Sequence, residues 1–201
     1  MNMTKRDFLK TMALGSAGLA ISGNVMGAND RIHIAIVGLH GMGKQHISQF
    51  SKISGVRIAA LCDVDSDVLN FQLDNFKQRN ESPKTFVDYR HVLDDRDIDA
   101  VVIVTPNHWH ALMTVWACQA GKDVYVEKPV SHNIWEGRQM VNAARKYNRI
   151  VQAGTHSRSD EALYAAFDYM HQGNLGAIRS AHGFCYKRRE SIGKVPGPQT
   201  I

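Results

Sequence analysis

Cysteine is scarce in this chain of 201 residues, which has three: Cys62, Cys118 and Cys185. They are far apart, form no CxxC pair, and an odd number cannot close a complete internal disulfide framework. Cys62 ends an apolar run and Cys118 sits in an apolar helical pattern, so both read as small buried hydrophobes. Ligand clusters are lacking too. Among ten histidines, His108 and His110 form the only close pair, with no flanking carboxylate or cysteine, and no metal site is expected. Charge is not concentrated. The formal net charge is +5, of which Lys5, Arg6 and Lys10 against Asp7 supply +2, leaving +3 spread along the rest with no basic block. Nucleic-acid binding therefore has no footing. No apolar run reaches the roughly 20 residues that a membrane span needs. There is no internal repeat and no low-complexity segment. The remainder, 44% hydrophobic and 21% charged, can bury one good core and part of a second.

The first residues have the layout of an export leader. Residues 1–10 are polar and basic, 11–22 are weakly apolar and rich in Ala and Gly, and Met26-Gly27-Ala28 offers small residues for cleavage. The run from Thr4 to Lys10 resembles the twin-arginine motif S/T-R-R-x-F-L-K, departing from it at Lys5. Residues 1–28 are therefore set apart from the fold as a signal. The chain is expected to meet the export machinery and to work in the periplasm.

Beyond the leader, short apolar runs alternate with helical patterns. Strands are predicted at 31–37, 56–62, 84–87, 98–105, 123–126 and 150–154. Helices are predicted at 43–53, 66–79, 89–93, 108–120 and 133–147. Pro106 stops the fourth strand because it has no donor for a ladder, and Gly121 suits the position after a helix. Near-continuous apolar strands separated by helices indicate a parallel sheet covered on both faces. Residues 193–198 read as a Pro/Gly-rich loop.

Gly38-Leu39-His40-Gly41-Met42-Gly43 lies between the first strand and the first helix. A phosphate-binding turn belongs there, where backbone N–H groups and the helix dipole meet a pyrophosphate. The usual spacing is G-x-G-x-x-G, and here His40 stands at the middle glycine. Asp63 follows the second strand, twenty residues after Gly43, where the acid that binds the adenosine ribose is expected. A carboxylate there repels a 2′-phosphate, which favours NAD over NADP. The alternative is that Asp63 and Asp65 merely cap the next helix. Together these features describe an α/β fold of Rossmann type, a doubly wound parallel sheet.

Thr105-Pro106-Asn107-His108-Trp109-His110 follows the fourth strand and Glu127-Lys128-Pro129 the fifth, at the carboxyl ends where open parallel sheets place ligands. A lysine there can act on a substrate hydroxyl, although most lysines are solvated and His110 could simply pack in its helix. The segments AIVGLHGMGKQH, ALCDVD, VVIVTPNHWHALMTVWACQAGKDVYVEKPVS and IVQAGTHSRSDEAL resemble the Gfo/Idh/MocA family, relatives of glucose–fructose oxidoreductase and inositol dehydrogenase. The resemblance runs over residues 31–194, and EKP after a TPNxxH turn is its most specific part.

The resemblance implies NAD(P)-dependent oxidation or reduction of a sugar or polyol hydroxyl. By matching position, Lys128 would be catalytic, contacting the reacting hydroxyl and assisting proton transfer, and Pro129 would hold the preceding peptide cis. Gly38, His40, Gly41, Met42, Gly43 and Asp63 would bind the cofactor, with Thr105, Pro106, Asn107, His110, Glu127 and Lys128 on the nicotinamide side. His156 and Arg158 would approach the substrate, along with Lys128. The expected domains are the signal (1–28), an NAD-binding domain (29–155) and the start of a substrate and oligomerisation α+β domain (156–201). Family members carry a D-x-x-x-H pair in that second domain and often pair through it. Residues 177–186 are expected to be its first strand, and the domain to be incomplete here. A homo-oligomer is expected at full length. Two rival readings stand beside the oxidoreductase: an NAD-dependent glycoside hydrolase working by transient oxidation and elimination, and a non-catalytic cofactor-binding fragment.

Overall fold

A computed structural model describes residues 31–184 together with Ser191 and Gly193. The leader, Cys185 and most of the 193–198 loop lie outside the described residues. The described chain forms two compact units that divide between Thr155 and His156.

The first unit is a six-stranded sheet in the order β3-β2-β1-β4-β5-β6, parallel throughout. Its strands are β1 (Ile32–Val37), β2 (Val56–Cys62), β3 (Lys84–Phe86), β4 (Ala100–Ile103), β5 (Asp123–Glu127) and β6 (Val151–Gly154). Five helices connect them: α1 (Met42–Phe50), α2 (Ser66–Lys77), α3 (Tyr89–Asp94), α4 (Asn107–Gln119) and α5 (Ile134–Lys146). The expected alternation is realised, with bounds shifted by a few residues.

The strands read as apolar runs because both sheet faces are buried. Ile32, Ile34 and Ile36 of β1 pack with Ala100 and Val102 of β4 under Ile47 of α1 and Leu69 and Phe76 of α2. Ala35 and Val37 turn to the other face, with Val101, Ile103, Val124 and Val126 under α3, α4 and α5. The helices start where polar caps place them. Asp65, Asp88 and Asn133 each accept first-turn amides, at the starts of α2, α3 and α5. Lys122 is buried, donates to the carbonyls of Asp95 (2.6 Å) and Ile98 (2.9 Å), and its burial lowers its pKa.

The second unit holds a 3₁₀ turn, His156–Ser159, and α6, Glu161–His171, capped by Asp160. The sequence reading assigns no element here, although Leu163, Tyr164 and Phe167 fall on one helical stripe after a capping Asp. The strand expected at 177–186 is corrected. Residues 177–184 form no strand, and 185–186 lie outside the described residues. A strand persists only where a neighbour takes its backbone groups. Among the described residues none lies beside it, and Ile178 and Phe184 are exposed. No helix among the described residues is long and apolar enough to cross a membrane.

Candidate functional site

The connections that leave the carboxyl ends of β1, β2, β4 and β5 carry the predicted site residues of the first unit. In this strand order the chain reverses direction between β1 and β4, the crevice where open α/β sheets bind nucleotides. Gly38 follows β1 with φ 91°, and a β-carbon on it would lie 2.7 Å from the Val104 carbonyl oxygen. Gly43, in the first turn of α1, is equally constrained, since a β-carbon there would collide with the Gly38 carbonyl. The two glycines let the turn fold tightly against β4. Gly41 caps α1 without a side-chain hydrogen bond, Met42 is the first helical residue, and the space beside Gly41 is open.

His40 does not rebuild the missing glycine. Its ring is exposed and reaches Asp65, with Nε2 3.6 Å from Oδ2. Asp63 is half-buried and accepts the Leu39 amide on Oδ2 (2.7 Å) and the Asp65 amide on Oδ1 (3.1 Å). The capping alternative is thus divided between the two acids. Asp65 caps α2, while Asp63 faces the glycine turn. An uncapped helix start with open room, backed by a carboxylate one strand away, fits the pyrophosphate and ribose of NAD.

On the other side of the crevice, Thr105 is half-buried, with Oγ1 3.5 Å from Met113 Sδ, and Pro106 and Asn107 are exposed at the start of α4. His110 is 1% exposed, and both its ring nitrogens face carbonyl oxygens, Nδ1 that of Pro129 and Nε2 that of Thr105, each at 2.7 Å. Its ring therefore sits between the two turns. Glu127 is buried at the end of β5, Lys128 is exposed, and the Lys128–Pro129 peptide is cis, as the resemblance implies.

Sequence reasoning missed His46. It lies on the inner side of α1, 8% exposed, with Nε2 2.9 Å from Glu127 Oε1. The signal available was a histidine three residues after Gly43, beside the buried Ile47. Tyr125 stands edge-on to the His46 ring, and burial followed by the Glu127 charge raises its phenol pKa. His156 and Arg158 are exposed in the 3₁₀ turn of the second unit. Among the described residues no three of His, Cys, Asp or Glu gather where a metal ion could be held.

Comparison with known proteins matches residues 32–155 to an oxidoreductase family with the NAD-binding Rossmann fold, GFO_IDH_MocA. Myo-inositol 2-dehydrogenase of Lactobacillus plantarum superposes with a TM-score of 0.67 at 31% identity, over 74% of this chain and 43% of that one. Scyllo-inositol dehydrogenase of Lactobacillus casei, solved with bound NAD(H) and scyllo-inositol, gives 0.65 at 30%, over 73% and 42%. An alpha-N-acetylgalactosaminidase of Shewanella oneidensis is 28% identical across 72% of this chain and 38% of its own length. The chain thus spans less than half the length of these relatives.

Proposed function

The chain belongs to the Gfo/Idh/MocA oxidoreductase family, and from that premise we propose that it serves an exported, NAD-dependent enzyme that oxidises a sugar or polyol hydroxyl. One observation carries the reading. The glycine turn with Asp63 and the turn bearing Lys128 leave the same end of the sheet on opposite sides of its reversal point. A cofactor laid across that crevice would bring its reactive end toward Lys128.

Each residue then has a task. The start of α1 holds the pyrophosphate, and Asp63 accepts hydrogen bonds from the adenosine ribose while its charge disfavours a 2′-phosphate. Thr105, Pro106 and Asn107 border the nicotinamide side. When bound, NAD supplies the hydride acceptor. The Lys128 amine takes the proton of the substrate hydroxyl as the carbon that bears it gives up its hydride and the C–O bond becomes a carbonyl. Residues 1–28 direct the protein to the periplasm, and the full-length protein forms a homo-oligomer.

A second reading is favoured by the glycosidase among the relatives. It shares the first step, then eliminates the aglycone, adds water across the double bond so formed and returns the hydride, so that the net change is hydrolysis with no redox change. The experiment incubates full-length protein with NAD and a panel of inositols, sugars and aryl glycosides, following NADH and free aglycone together. Accumulation of NADH supports the oxidoreductase, whereas aglycone release without NADH supports the hydrolase. Tight NAD binding with no turnover of any member of the panel would contradict both and leave a cofactor-binding protein.

A further inference from the structure

Lys128 is exposed, but its two neighbours in the chain are each held by a buried histidine. On one side, Glu127 is 4% exposed and takes the ring of His46 on Oε1 (2.9 Å), while Oε2 accepts the amide of Lys128 itself (3.1 Å). On the other side, the His110 ring lies between the carbonyls of Pro129 and Thr105, each 2.7 Å from one of its nitrogens, and its N–H donates to one of them. His46 comes from α1, the helix that opens on the glycine turn. His110 comes from α4, which opens on Thr105-Pro106. Burying a histidine is costly unless it is hydrogen-bonded, and both rings lie within hydrogen-bond distance of the turn that carries Lys128. The backbone also makes room for this arrangement. A β-carbon on Gly154 would lie 2.9 Å from Glu127 Oε1 and 3.0 Å from the Tyr125 hydroxyl.

We propose that His46 and His110 are positioning residues that clamp the Lys128 turn from both sides and tie it to the two cofactor-binding segments. This inference rests on Lys128 being the proton acceptor proposed above. Misplacing a reacting group by about 1 Å can cost ~100-fold in rate, so a clamp of this kind acts on turnover more than on binding.

The test uses full-length protein and the variants His46→Phe, His46→Gln and His110→Phe, each also combined with Lys128→Ala. Phenylalanine keeps the ring volume and removes the hydrogen bonds. Glutamine at 46 can still donate to Glu127. The expected result is a fall in kcat of about 10- to 100-fold for both Phe variants, with KM and the NADH dissociation constant within about threefold of wild type. His46→Gln should recover most of the rate, and in the Lys128→Ala background neither Phe change should cost anything further. An activity-independent reading comes from reductive ¹³C-methylation of lysines, with the Lys128 methyl resonance assigned by its absence in Lys128→Arg. That resonance should shift away from its wild-type position in both Phe variants. Unchanged kcat, losses that persist without Lys128, or NADH binding that weakens in step with kcat would each overturn the clamp. So would an unmoved Lys128 resonance, even if no substrate is found. A wild-type protein that transfers no hydride, with the resonance shifting as expected, would instead sink the oxidoreductase reading and leave the clamp standing.

Discussion

The Asp63 carboxylate accepts the Leu39 amide at 2.7 Å, so the acid at the end of β2 also shapes the glycine turn at the end of β1. A single residue therefore orients the turn and presents negative charge where the adenosine ribose would lie. Asp63→Ala is expected to weaken NAD binding by about 10- to 100-fold, the loss of hydrogen bonds to a charged group worth roughly 1.5–3 kcal/mol. It should weaken NADP binding less, so preference for NAD narrows. Calorimetric titration with both nucleotides measures this.

The glycine turn makes a steric prediction as well. Gly38→Ala would put a β-carbon 2.7 Å from the Val104 oxygen and force an alanine to φ 91°. Backbone strain of that kind costs about 1–3 kcal/mol before the clash is counted. Thermal denaturation should show a midpoint several degrees lower, together with weaker NAD binding, because the strained segment is the one proposed to cradle the phosphates.

Much of this site was legible in the sequence, for physical reasons that differ by residue. The strands were readable because burial on both faces leaves near-continuous apolar runs such as Val56–Cys62. Asp63 was readable because its distance from the glycines is set by one strand and one helix. His46 was not, since nothing local distinguishes a helical histidine aimed at a carboxylate from one that is merely packed. Its partner Glu127 is 81 residues away. His110 was expected on the nicotinamide side, whereas the two carbonyls beside its ring lie in different turns, which only the tertiary fold brings together. The strand expected at 177–186 shows the same limit from the other side, since a β-like pattern makes no strand without a neighbour.

Burial makes the two described cysteines inert. Desolvation, followed by the charges of Asp63 and Asp88, pushes the Cys62 thiol up to about 12, and burial lifts Cys118 to about 11. At pH 8 only about one thiol in 10,000 at Cys62, and one in 1,000 at Cys118, would be thiolate. Alkylation with iodoacetamide followed by peptide mapping should leave both unmodified in the native protein and modify both in denaturant.

The cap of α3 gives a pH signature. Hydrogen bonds from the side chain and the amide of Arg90 pull the Asp88 carboxyl down from 3.8 to about 2. A folded-state pKa below the unfolded value means a contribution that is complete above about pH 4 and lost as pH falls toward about 2. Asp88→Ala should therefore melt at a lower temperature than wild type at neutral pH. The gap should close between about pH 4 and pH 2, measured by circular dichroism across that range.

The central claim is that Lys128 takes the hydroxyl proton while the glycine turn and Asp63 hold NAD. It is tested most directly by comparing wild type and Lys128→Ala in full-length protein, with NADH binding and single-turnover hydride transfer from an active sugar or polyol measured on the same samples. The expected result is NADH affinity within about threefold of wild type and hydride transfer slower by ~100-fold or more, the usual worth of a positioned general base. Hydride transfer at the wild-type rate in Lys128→Ala would contradict the account.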